Sequence, residues 1–291
     1  MKTKFQYGGQ AVIEGVMMRG PNRVAVAVRK PDGEIEVETE EKAPLTARSK
    51  ILSWPFIRGT FVLVDSLVIG IRALNRSASL AMEGEEEELT PAEILGTGLI
   101  AAVLAVFLFI ALPTGAVHFT TRYIPGGVLG QNLIEGIIRI LVMIGYILAI
   151  SRMEDIRRVF MYHGAEHKAV HALESGGELS VEAAQRFSVL HPRCGTSFLL
   201  VVMIISILIF ALLGEGSLVW RIGSRIAVFP IVAGLGYEFI KLTSRYADAG
   251  WSRFLMAPGL WLQKLTTGEP DEAQIEVAVR ALEAVVEPAA G

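Results

Sequence analysis

Three of the chain's five histidines fall in one short run, His163-Gly164-Ala165-Glu166-His167-Lys168-Ala169-Val170-His171. Spaced four apart, they share one face of a helix. His163 to His167 reads H-x-x-E-H, the inverted order of the zinc-peptidase motif. Two imidazoles four apart can share one divalent metal, and a carboxylate on the same turn can take a proton from water that the metal acidifies. His163 and His167 are therefore candidate metal ligands and Glu166 a candidate general base, with Glu238 or Glu174 as the third ligand and one position open.

A second constellation begins twenty residues after His171, where His191-Pro192-Arg193-Cys194 brings the fourth histidine and the only cysteine. His167, His171, His191 and Cys194 would instead close a four-ligand structural zinc site with no open position. In a third reading the histidines bind no metal and are satisfied by backbone or lipid headgroups. A single cysteine excludes a disulfide within the chain and every zinc site that needs two thiolates from one chain, so any metal is held mainly by histidine and carboxylate. A divalent metal is the expected cofactor, zinc foremost, with iron and manganese open. Arg19 and Arg193 each flank a Gly-rich or Pro-bent turn and are candidates to clamp an anionic substrate such as a lipid phosphate or peptide carboxylate; headgroup contact is the plainer role.

The elements that must position these residues are mostly membrane helices. The chain has 291 residues, is 52% hydrophobic and 20% charged, and has a mean hydropathy of +0.47, the profile of a polytopic membrane protein. A net charge of -3 lacks the basic balance of a nucleic-acid binder, so no nucleic-acid partner is expected. Ile94 to Leu112 and Thr196 to Leu213 are free of charge and close to the length that crosses about 30 Å of hydrocarbon. Leu133 to Ile150 is apolar apart from Glu135 and Arg139, which sit four apart and can pair. Leu218 to Leu242, with Arg221, Arg225, Pro230 and Glu238, completes four spans.

The segment 151–195 carries six Lys or Arg while 113–132 carries only Arg122, which puts the histidine-bearing loop and both termini in the cytoplasm. Trp54 to Leu74 is long and apolar but carries Arg58, Asp65 and Arg72 at seven-residue spacing, which predicts an interfacial or re-entrant helix. The polar, Gly-rich start contains no cleavable signal peptide, so insertion is expected to rely on internal spans.

Residues 24–40 predict a β-hairpin around Pro31-Asp32-Gly33, with one acidic and one apolar face, and the preceding Gly-rich block is expected to add a strand. Asp271 to Val286 predicts an amphipathic helix docked on the cytoplasmic domain. The fold class is thus mainly α: about four transmembrane helices plus an interfacial helix, with a small N-terminal β-sheet on the cytoplasmic side. The segments run 1–50 (Gly-rich stretch and hairpin), 51–76 (interfacial helix), 77–92 (linker with the acidic run Glu83 to Glu88), 93–150 (two spans), 151–195 (His-rich loop), 196–242 (two spans) and 243–291 (cytoplasmic C-terminal segment).

Five blocks, GGQAVIEGVMMRGP (Gly8 to Pro21), YHGAEHKAV (Tyr162 to Val170), HPRCGTSF (His191 to Phe198), YEFIK (Tyr237 to Lys241) and PGLWLQKLTTGEPDE (Pro258 to Glu272), make most of the chain resemble the YqhQ family of bacterial membrane proteins. That resemblance implies a multi-pass protein of the bacterial inner membrane, in a family of unknown function often labelled as predicted metal-dependent enzymes. The function expected from residues and resemblance together is a metal-dependent hydrolase at the cytoplasmic membrane face, acting on a lipid or peptide with membrane lipid as its surroundings. The alternatives are a non-enzymatic scaffold or regulator held by structural zinc and, ranked last, a transporter. A loop of about forty-five residues with no clear substrate-binding half argues against a peptidase.

Overall fold

Four short strands, β1 (Gly8–Val12), β2 (Gly15–Arg19), β3 (Arg23–Arg29) and β4 (Ile35–Glu41), form an antiparallel meander in the order β1-β2-β3-β4. The computed structural model describes residues 7–47, 49–82, 90–120, 127–176, 178–214 and 216–286. The Gly-rich block supplies two strands where its sequence suggests one, because the chain reverses at Glu14, whose φ is 48°. The Asp32-Gly33 turn forms as predicted, with Gly33 at φ 90° and Glu34 N–H donating to Asp32 Oδ1 at 3.0 Å.

The sheet is covered on both faces. Val16, Met18, Ala25 and Ala27 point one way, against Ala165 and Ala169 of α5 (Glu154–Glu174) and Ile275, Ala278 and Leu282 of α10 (Glu272–Glu283). Met17 and Val24 point the other way and join Ile69 and Ala73 of α1 (Ile57–Ala81). β2 therefore reads as the continuous apolar run GVMMR rather than as an alternation. Helix α10 is the amphipathic tail, started by a capping box in which Gln274 N–H donates to Asp271 Oδ1 and Asp271 N–H to Gln274 Oε1.

The remaining helices are α2 (Pro91–Val106), which runs through one π-helical turn (Phe107–Ala111) into α3 (Leu112–Thr120), then α4 (Gly127–Ile150), the short α6 (Val181–Gln185), α7 (Gly195–Ala211), α8 (Leu218–Arg245) and α9 (Gly250–Thr266). Among the described residues, three helical stretches are long and apolar enough to cross a membrane: Leu95–Thr120, Leu129–Ile150 and Leu218–Arg245. Helix α7 has 17 residues, a length of about 25 Å, and is the shorter apolar helix of the bundle. Glu135, Arg139 and Arg225 are buried between these helices: Glu135 accepts from Arg139 at 2.7 Å, Arg225 at 2.6 Å and Thr114 at 3.0 Å. Arg139 also donates to the Phe109 carbonyl in the π-helical turn.

Helix α1 resolves the seven-residue charge stripe. Arg58 pairs with Glu238 on α8, Asp65 is buried against Arg19 of β2, and Arg72 is exposed. Val64, Leu67, Val68, Ile71 and Leu74 form an exposed apolar stripe along the same helix. Helix α9 has no counterpart in the sequence reading. Its buried stripe, Ser252, Met256, Gly259, Leu262, Gln263 and Thr266, mixes polar and apolar residues, while Trp251, Phe254 and Trp261 face outward. The acidic run Glu83 to Glu88 and Arg122 lie outside the described residues.

Candidate metal centre

Helix α5 carries His163, Glu166, His167 and His171, as the four-residue spacing predicts. Two backbone carbonyls orient its first two imidazoles: His163 Nδ1 donates to Thr266 O at 2.8 Å and His167 Nδ1 to Val189 O at 2.5 Å. A ring nitrogen committed in this way leaves the other as a lone-pair donor, as in metal-binding histidines whose far nitrogen donates to a carbonyl or carboxylate. Gly164 makes the first of these contacts possible. A Cβ there would lie 2.1 Å from the Gly268 carbonyl oxygen, and this close approach brings the end of α9, with Thr266, onto α5.

Cys194 is the N-cap of α7 and meets the histidines from the opposite side. Its Sγ lies 3.1 Å from His163 Nε2, accepts from the Thr196 N–H at 3.4 Å and is 3.0 Å from Thr196 Oγ1. The positive end of the α7 macrodipole thus faces the sulfur. One donor atom from each of His163, His167 and Cys194 lies within 4.8 Å of the others. Donors about 2.1 Å (nitrogen) and 2.3 Å (sulfur) from a tetrahedral zinc are themselves about 3.6 Å apart. The three residues fit a divalent metal by donor chemistry and separation, and no fourth His, Cys, Asp or Glu joins the group among the described residues.

This set combines halves of the two that the sequence suggests. Glu238 is not part of it: both carboxylate oxygens are held by Arg58 at 2.6 Å, on α8. Glu174 is paired with Arg193 and lies 3.5 Å from His191 Nε2. His171 directs Nε2 to the Leu190 carbonyl at 2.9 Å. His191 is buried, accepts the Arg193 N–H at Nδ1 and faces Glu174 through Nε2. The His167, His171, His191, Cys194 set does not converge among the described residues; Cys194 pairs instead with His163 and His167.

Electrostatics follows burial. Burial pushes the Glu166 carboxyl above its ordinary range, against the pull of His163 and of the Gly9 N–H that donates to Oε1 at 2.8 Å. Burial lowers His191 to about 4, so it is neutral at pH 7. Burial alone would raise Glu174, but hydrogen bonds from His191 and Arg193, with the Arg193 charge, outweigh it and bring the carboxyl to about 2.

His163, Glu166, His167 and Cys194 line a cleft of about 1080 Å³, which Arg19 and Arg193 also reach. Both arginines are already ion-paired, Arg19 to Asp65 and Arg193 to Glu174. The sequence reading missed Gln263. This wholly buried side chain on α9 accepts the His191 N–H at 2.9 Å and donates to the His191 carbonyl at 2.8 Å and to Ser197 Oγ at 2.7 Å. Its one sequence signal is a lone amide at the end of the apolar run GLWL in PGLWLQKLTTGEPDE. Gly9 was also missed as a partner of Glu166.

Fold and site together define a mainly helical chain with membrane-length helices and a His-His-Cys group beside a large cleft. Residues 54–288 match the model of a family described as "Protein of unknown function (DUF1385)". The chain is 33% identical over 294 residues to the uncharacterized protein YqhQ of Bacillus subtilis (strain 168), covering 96% of this chain and 91% of that protein. It belongs to the YqhQ family, whose function is unknown. No solved structure matches it.

Proposed function

We propose that this chain is a metal-dependent hydrolase of the bacterial cell membrane, with its site at the cytoplasmic face. The observation that carries the reading is the His163, His167 and Cys194 set: two imidazoles oriented by backbone carbonyls and one sulfur at a helix N-cap, all three lining a cleft. When bound, a divalent cation supplies Lewis acidity at that point and acidifies water that reaches it. Glu166 is the general base. It sits on the same helix turn, lines the cleft and is held at Oε1 by the Gly9 N–H, and burial raises its affinity for a proton. His191, Glu174, Arg193 and Gln263 hold the strap that presents Cys194.

The packing supports a four-span topology by parity. Strands β1–β4, α5 and α10 share one core, so they lie on one side of any membrane. Between β4 and α5 the chain must then cross an even number of times, which α2–α3 and α4 do while α1 lies at the interface. Between α5 and α10 the number is again even, so α8 needs a companion, and α7 is the apolar helix available. Helix α9 then lies at the interface, where its outward Trp251 and Trp261 belong. The basic 151–195 segment puts this side in the cytoplasm.

The test is a panel of ester, phosphoester and peptide substrates offered to metal-loaded protein in membrane mimetic, beside Glu166→Gln. Turnover that disappears in Glu166→Gln while the metal stays bound is expected. Turnover unchanged in that variant would remove Glu166 from the role of base. A metal-loaded protein inert on every class, and unfolding on metal removal, would favour a scaffold held by structural metal.

A further inference from the structure

The cleft has more to it than the donor set. Its cations differ in whether they are already neutralised: Arg19 is ion-paired with Asp65 and Arg193 with Glu174, so neither has a free charge to offer a ligand. Lys241 of α8 also lines the cleft, is exposed, and makes no hydrogen bond or ion pair to a described residue. Glu238, the acid nearest to it in sequence, is held on both oxygens by Arg58. One part of the wall is apolar, while Gln10, Ser66, Thr196 and the candidate metal donors make other parts polar. Val62 and Ile69 come from α1, Ile147 and Ile150 from the end of α4, and Leu199 from α7. Apolar stripes of α1 and α4 continue outward from that wall as exposed Val64, Leu67, Leu141 and Leu148. At about 1080 Å³ the cleft exceeds the span of ordinary small-molecule pockets, about 300–1,000 Å³.

A cation that makes no hydrogen bond or ion pair to a described residue, and that shares the field of Glu238 with Arg58, lines the same cleft as an apolar stretch running into lipid-length helices, which together are complementary to an amphiphile. We infer that the cleft binds a lipid with an anionic, phosphate-bearing headgroup, the headgroup against Lys241 and the first part of the acyl chains along Val62, Ile150 and Leu199. A water-soluble anion would leave that wall uncovered, and a zwitterionic lipid would bring no net charge to Lys241. Anionic lipids are abundant in the cytoplasmic leaflet, where the four-span topology puts this opening. This names the substrate class for the proposed hydrolase and rests on that reading only for the chemistry, not for binding.

The test uses the full chain, treated with chelator, in nanodiscs of equal phosphatidylglycerol and phosphatidylcholine, with retained lipid counted by native mass spectrometry. Phosphatidylglycerol should be enriched about fivefold, and the enrichment should vanish in Lys241→Gln and return in Lys241→Arg. Ile150→Trp, which fills the apolar wall and keeps the charge, should also lose the lipid. Equal enrichment in Lys241→Gln would overturn the inference, since Lys241 would then only reach to the membrane surface. Displacement of the lipid by inorganic phosphate would also overturn it, by assigning the subsite to a free anion. Enrichment kept in His163→Ala leaves the lipid site standing even where the metal reading fails, because the measurement needs no metal and no turnover.

Discussion

Gln263 is the buried residue on which the geometry of the donor set most depends. Replacing it with leucine keeps the volume and removes all three of its hydrogen bonds. The His191 N–H and C=O then stay in the interior without partners. Each buried unsatisfied group costs about 1–3 kcal/mol, so the pair costs roughly 2–6 kcal/mol of folding stability. The effect should reach the metal, because the strap fixed at His191 includes the Val189 carbonyl that orients His167 and ends at Cys194. Losing an orienting contact of this kind lowers metal affinity about 10–100-fold. Thermal unfolding of detergent-purified protein, with and without metal, reads the first quantity, and a competitive metal titration reads the second. Gln263→Glu, which keeps an acceptor for the His191 N–H but loses the donors, should fall between, and it gives a reading if the leucine variant does not fold. A protein destabilised as expected but with metal affinity within about twofold of the original would refute the positioning role.

Glu166→Gln should keep its metal and lose about 10²–10⁴-fold in turnover, measured on whichever substrate class the panel identifies. Glu135→Gln should cost about 3–5 kcal/mol, read by thermal unfolding, because it leaves Arg139 and Arg225 buried without their shared carboxylate. Glu238→Gln should leave metal content unchanged and instead loosen α1 from α8, read by faster proteolysis within α1. Acid should weaken the fold in two steps. His191 is held at about 4, below its ordinary 6.5, so the unfolded chain takes up the proton first and stability falls as the pH drops through that window. Glu174, at about 2 against an ordinary 4.5, adds a further loss below it. A His191→Asn variant should flatten the upper step, and an unchanged pH profile of unfolding would contradict the assignment.

Local periodicity made much of this molecule legible. His163, Glu166 and His167 were readable because a helix repeats every three to four residues, and the Asp32-Gly33 turn because few residue pairs adopt it. The uninterrupted apolar run from Ile94 lies in one membrane-length helix, the charge-bearing runs from Leu133 and Leu218 lie in two more, and the uninterrupted run from Thr196 forms a shorter apolar helix. What escaped depends on contacts distant in sequence. Glu238 looked like a ligand until Arg58, 180 residues away, was seen to hold both its oxygens. Cys194 joins His163 rather than His171 because α7 begins where α5 and the end of α9 meet. Helix α9 hid because its buried face mixes Met256 and Leu262 with Ser252, Gly259, Gln263 and Thr266 while its tryptophans are exposed, so the inward stripe does not stand out as apolar. Arg19 and Arg193 are candidate anion clamps in sequence, and the distant partners Asp65 and Glu174, with which they form ion pairs, could not be read there.

The most direct measurement is the metal content of the purified full chain beside His163→Ala, His167→Ala, Cys194→Ala and Glu238→Ala. About one divalent metal per chain is expected, lost in each of the first three variants and kept in Glu238→Ala. Metal kept in Cys194→Ala, or no metal in the unaltered chain under any loading condition, would contradict a His163, His167 and Cys194 centre.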